Sequence, residues 1–132
     1  MKYLLDTNMC IFLSKNHPKV LGKYEENESD GIAISSITVA ELFYGAAYSA
    51  RPVENREIFH QFFTGFTLLD FGVEAAAQYG EVCADLRRKG TPIGRMDTLI
   101  AAHAKSAGLV VVTKNTREFS RVQGLRLEDW TR

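Results

Sequence analysis

Asp6, Glu41 and Asp97 each follow a signal for the end of a strand or the start of a helix, a placement that can bring three carboxylates to one rim of a sheet. Three convergent carboxylates without a cation repel one another and raise each other's pKa values. A divalent cation removes that penalty. The donors are hard oxygens, and neither the two cysteines nor the three histidines, His17, His60 and His103, have a spacing suited to zinc. That favours Mg²⁺ or Mn²⁺ in an open coordination sphere. The chemistry such a site supports is hydrolysis at phosphorus. The metal polarises a phosphoryl oxygen and lowers the pKa of a bound water, which attacks in line.

Each acid also has a structural explanation. Asp6 can close the turn after a strand through an Asx-turn. Thr38-Val39-Ala40-Glu41 has the form of a capping box, in which Glu41 reaches back to the Thr38 N–H. Asp97 can be the N-cap of its own helix. Asn8, two residues after Asp6, can orient a metal-bound water or cap a helix. Asn115 can accept a hydrogen bond from a water without adding charge. His103, six residues after Asp97, is expected to face away from it on the helix. No Ser-His-Asp arrangement, Walker loop or dinucleotide glycine pattern is present.

The elements that must position these residues are short. Lys2 to Asp6 reads as a buried strand closing on a carboxylate, and a helix from Asn8 follows it. His17-Pro18 opens a second helix. Residues 31–35 read as a strand, 38–50 as a helix, 52–66 as another, and 67–70 as a strand. Residues 73–89 form a long amphipathic helix with Gly90 as its C′ residue. A helix over 97–107 closes on Gly108, the run Leu109-Val110-Val111-Val112-Thr113 is a buried strand, and 125–127 a last short one. Apolar strands alternating with helices predict an α/β fold with a central parallel sheet flanked by α-helices. In such sheets ligands bind beyond the carboxyl ends of the strands at a switch in strand order, which is where Asp6 and Lys114-Asn115 would fall. The stripe Phe59, Phe62, Phe63 and Phe66 reads as core or dimer interface.

A length of 132 residues, with no repeat, low-complexity tract or linker, predicts a single domain over 1–132. Lys2, followed by Asp6, makes the start too charged for a signal-peptide core, and charges interrupt every apolar run before it reaches membrane-spanning length. Cys10 and Cys83 are read as buried free thiols, implying a cytoplasmic protein. Net charge is zero, but its distribution is uneven. Glu25, Glu26, Glu28 and Asp30 cluster early. Arg87, Arg88, Lys89, Arg95, Lys105, Lys114, Arg117, Arg121 and Arg126 face only Asp97 and Glu118 in the later stretch. A segregated basic segment can steer a nucleic acid even on a neutral protein.

Four stretches, in order and nearly end to end, resemble one family. Leu4-Leu5-Asp6-Thr7-Asn8 and Ser35 to Leu42 are similar to the opening of PIN-domain ribonuclease toxins of the VapC type. Pro92 to Ala104, containing Arg95-Met96-Asp97, resembles that family's central signature. Val111 to Phe119, followed by Gly124-Leu125 and Glu128-Asp129-Trp130, resembles its closing segment. The resemblance implies a PIN domain and the toxin of a type II toxin–antitoxin pair, a Mg²⁺-dependent endoribonuclease with Mn²⁺ able to substitute. It implies a homodimer silenced by a cognate VapB-type antitoxin, in a larger complex with it, and structured RNA substrates that include initiator tRNA. It implies catalytic roles for Asp6, Glu41 and Asp97. Asp6 and Asp97 are expected to hold the metal, with Glu41 divided between its helix and a metal-bound water. Asn115 stands where many PIN nucleases have a fourth acid, so one firmly held Mg²⁺ is expected. Arg95 is a candidate for the substrate phosphate or an antitoxin carboxylate.

Two other readings share part of this pattern. A haloacid-dehalogenase-like phosphatase would use Asp6 as nucleophile, but needs a second acid where Asn8 stands and an acidic pair where Thr113-Lys114-Asn115 stands. A non-catalytic PIN-like module that binds RNA or protein would have no use for three acids in a basic neighbourhood.

Overall fold

The computed structural model describes residues 1–132. Five parallel strands, β1 (Tyr3–Leu5), β2 (Ile32–Ser35), β3 (Thr67–Leu69), β4 (Val110–Val112) and β5 (Leu127–Glu128), lie in the order β3-β2-β1-β4-β5. Seven α-helices connect them: α1 (Thr7–Ser14), α2 (Pro18–Asn27), α3 (Ser36–Ala47), α4 (Pro52–Phe63), α5 (Val73–Arg88), α6 (Arg95–Ala107) and α7 (Thr116–Phe119). The predicted α/β fold with a flanked parallel sheet is the observed one.

Why the sheet is two-sided is visible in β1. Successive side chains of a strand point to opposite faces. Tyr3 and Leu5 join Ile32, Ile34, Val110 and Val112 in a core with α1, α2, Leu42, Phe63 and Trp130. Leu4 joins Ala33 and Val111 on the other face against Val82, Leu86, Ile100, Ala101, Ala104 and Phe119. Every residue of β1, β2 and β4 is buried. Of the phenylalanine stripe, Phe63 is buried and Phe59, Phe62 and Phe66 pack partly buried against the first core. Within the single chain the stripe packs on the core.

The chain lays β2 and β3 to one side of β1, then crosses to lay β4 and β5 on the other. The crevice between β1 and β4 is therefore the switch point, where the following loops diverge and leave space for a ligand. Register fixes what faces it. Leu5 pairs with Val112, so the next residues, Asp6 and Thr113, emerge side by side.

Element ends differ from the sequence reading at instructive places. The third helix starts at Ser36 with Ser35 as N-cap, its hydroxyl accepting from the Ile37 N–H at 3.1 Å. Thr38 is thus inside the helix, and the Thr38–Glu41 capping box does not form. The sixth helix starts at Arg95 with Gly94 as its N-cap residue, so Asp97 is in the first turn rather than the cap. Gly90 (φ 70°) and Gly108 (φ 67°) take the left-handed conformation that ends α5 and α6, as their positions predict. Cys10 is buried, but Cys83 is exposed. It follows Val82, an inward residue of α5, and one helical step turns it outward.

Candidate active site at the β1–β4 crevice

Asp6 is 4% exposed and fastened at both oxygens. As the N-cap of α1 it accepts from the Met9 N–H at 2.8 Å through Oδ1, and Oδ2 accepts from the Thr113 hydroxyl at 2.6 Å. The capping explanation is realised without using up the carboxylate. Burial raises its pKa to about 6, against the lowering effect of those two hydrogen bonds, and repulsion from Asp97 and Glu41 raises it further.

Thr113 in turn accepts from the Asn115 N–H at 2.9 Å, and the Asn115 side-chain amide donates to Asp97 Oδ2 at 3.2 Å. The loop after β4 therefore ties Asp6 to Asp97 through two uncharged residues. Asp97, half-buried, has its pKa raised by burial, opposed by the Asn115 hydrogen bond, and raised again by Glu118 and Glu41. Glu41 on α3 receives a hydrogen bond from the Thr7 hydroxyl at 2.5 Å, which also stands 3.2 Å from the Thr38 hydroxyl. The three acids named from sequence are thus near enough for Glu41 and Asp97 to raise the Asp6 pKa, and each is held by a neutral partner that does not cancel its charge.

Glu118 was missed. The sequence reading looked for a fourth acid where Asn115 stands, whereas the short helix α7 carries Glu118 close enough to raise the Asp97 pKa. The available signal was spacing: Glu118 follows Asn115 by three residues, one helical turn. Asn8 is exposed in the first turn of α1, and Arg95 is exposed at the start of α6. His103 is 4% exposed and lies outside the acid group, with Nδ1 2.8 Å from the Ser35 hydroxyl. Its buried surroundings lower its pKa. Of the basic segment, Arg121 donates to Pro92 O, Arg126 to Gly108 O, and Lys89 pairs with Asp85, so these three engage their own chain.

The acids do not close into a cage: no three carboxylate, imidazole or thiolate groups stand in chelating geometry. Such a donor set, carboxylate oxygens without imidazole or thiolate, is compatible with Mg²⁺, which takes one or two carboxylates together with waters and substrate phosphates. It suits zinc poorly. Thr113→Val would test the scaffold of the crevice. It removes the donor to Asp6 Oδ2 and the acceptor for Asn115, and it should lower stability by about 1–3 kcal/mol. Cleavage should fall more steeply than the folded fraction measured by circular dichroism. Loss of activity in step with unfolding would assign Thr113 to packing alone.

A parallel sheet with this switch point and an acidic crevice defines the class of protein, and the PIN-domain pattern matches residues 3–125. The "tRNA(fMet)-specific endonuclease VapC" of Salmonella typhimurium is 46% identical over 130 residues, covering 98% of each chain. The protein of the same name from Shigella flexneri is 44% identical over 131 residues, covering 99% of each. A crystal structure of DNA-bound VapBC from Salmonella typhimurium superposes with a TM-score of 0.93 at 47% identity, covering 98% of each chain. The chain belongs to the VapC ribonucleases of the PIN-domain family.

Proposed function

We propose that residues 1–132 act as one PIN domain, the toxin of a type II toxin–antitoxin pair, and hydrolyse phosphodiester bonds in RNA with Mg²⁺. The observation that carries this reading is the link from Asp6 through Thr113 and Asn115 to Asp97 across the β1–β4 crevice. Asp6 and Asp97 would hold Mg²⁺, or Mn²⁺ in its place, and the bound ion would supply a low-pKa water and neutralise phosphoryl charge. Glu41, held by Thr7, is placed to accept a proton from a water on the open side. Asn115 would hold the Asp97 carboxylate through its amide, and Glu118 would supply the acid that position 115 lacks. Arg95 and Asn8, exposed in the first turns of α6 and α1, the helices that carry Asp97 and follow Asp6, would meet the substrate backbone.

Initiator tRNA is the proposed substrate, supported by the names of the Salmonella and Shigella relatives. A cognate VapB-type antitoxin is the proposed partner, on the strength of the VapBC complexes among the structural relatives. For a homodimer, the support is an exposed aromatic pair at the end of α3, where Tyr44 and the C-cap residue Tyr48 are 70% and 82% exposed and stack on each other. No helix is long and apolar enough to cross a membrane, and a cytoplasmic location fits the substrate. Purified, antitoxin-free protein should cut initiator tRNA in Mg²⁺ and leave it intact in EDTA. Cleavage that persists in EDTA overturns the metal-dependent reading. Intact RNA with full tRNA binding would favour the non-catalytic module.

A further inference from the structure

We propose that Lys114 contacts the RNA backbone phosphate adjoining the one that is cleaved, an inference that rests on the ribonuclease reading above. The placement of Lys114 follows from its neighbours. Thr113 is fastened to Asp6 and Asn115 to Asp97, and the two are bonded to each other. The backbone of residue 114 is therefore fixed on the rim between the two carboxylates, while its own side chain is exposed. That ammonium takes part in none of the ion pairs of the fold, which involve Lys23, Arg51, Lys89 and Arg132. It lies instead over the ring of Phe12 on α1, 5.8 Å from the centroid.

This arrangement answers an electrostatic need of the crevice. Asp6, Glu41, Asp97 and Glu118 make its mouth negative, and a polyanion must still enter. A cation paired with one of those acids would be neutralised and would compete with the metal. The Phe12 face holds the ammonium away from them by a cation–π attraction that is weak at an exposed site and readily exchanged for a phosphate. Lysine suits the task, being a compact charge on a flexible stem with three donors. The contact is sequence-independent. Lys114 would therefore position the strand and leave recognition of the particular RNA to other residues.

Binding of labelled initiator tRNA to protein carrying Asp6→Asn, followed by fluorescence anisotropy across KCl concentrations, reads this contact without cleavage. Adding Lys114→Gln should weaken binding about three- to tenfold near 100 mM salt. It should also flatten the slope of log K against log salt by about 0.7–0.9, the value of one phosphate contact. Lys114→Arg should restore the slope. Phe12→Leu should change affinity less than about threefold and leave the slope intact, because the charge remains. An unchanged slope in Lys114→Gln, or no tRNA binding by the parent protein, overturns the proposal. Failure of the ribonuclease reading shows elsewhere, as tRNA left uncut by the wild-type chain in Mg²⁺.

Discussion

Asp6→Asn should cut RNA cleavage steeply and, in EDTA at neutral pH, make the protein more stable. The two effects have one cause. A carboxyl moved from its ordinary 3.8 to about 6 is held by the fold in a place hostile to its charge. Ionising it there costs about 3 kcal/mol as an upper figure, with burial the largest contribution. Asparagine keeps the shape. Its carbonyl still accepts from the Met9 N–H, and its amide can donate to the Thr113 hydroxyl, which turns its own proton elsewhere. A net gain of about 1–2 kcal/mol, roughly 4–8 °C in Tm, is expected. Activity should fall by about a hundredfold to a thousandfold or more, because one anchor of the catalytic charge is gone. Mg²⁺ should then raise the Tm of the wild type by mass action and that of the variant far less.

The pH dependence fixes the sign. The folded pKa of Asp6 lies above the unfolded value, so between about pH 4 and 6 the folded state binds the proton that the unfolded state has released. Without metal, stability falls as pH rises through this window. The deficit is complete above about pH 6 and absent below about pH 4. Asp97 is shifted in the same direction and adds to it. Thermal melts in EDTA from pH 4 to 8 should show the wild type and Asp6→Asn diverging across that interval. Parallel curves would mean that Asp6 is not strained, and a variant that cuts near the wild-type rate would remove Asp6 from the chemistry.

Sequence legibility followed the length scale of the interactions. The apolar runs ending at Leu5 and Val112 announced β1 and β4, and the acid after the first was visible because burial leaves few roles for Asp. Cap positions were less visible. Ser35, Ser36 and Thr38 can all cap a helix, and the choice of Ser35 depends on β2 pairing with β1 and on His103 standing 2.8 Å from the same hydroxyl. Asp97 resembled a cap because an acid is favourable throughout the first turn of a helix. Its real partner, Asn115, lies 18 residues away and is brought near only by the β4 crossover. Glu118 had only its one-turn spacing from Asn115 to mark it, because the four residues of α7 are too few to show a periodicity.

Trp130→Ala should cost about 3–5 kcal/mol, the largest stability loss expected of a single truncation in this chain. Total stabilities of such domains run at about 5–15 kcal/mol, so the variant sits near the edge of folding. Trp130 is 1% exposed although it is third from the last residue described, and its Nε1 donates to Glu128 at 3.0 Å. Its ring meets Tyr3 edge-on at 5.2 Å, and Tyr3 bonds through its hydroxyl to Asn27 on α2. One side chain therefore joins the strand that delivers Asp6, the strand at the far edge and the first helical layer. As the only tryptophan, it cannot report on its own loss, so urea unfolding should be followed by far-UV circular dichroism. The midpoint should drop with little change in slope. The partners of Trp130, Tyr3 and Glu128, are not among the crevice acids, so cleavage per folded molecule at low temperature should remain near wild type. A loss of cleavage without a loss of stability would place the residue in the site instead, and a cost below about 1 kcal/mol would mean that the closing segment is not part of the core.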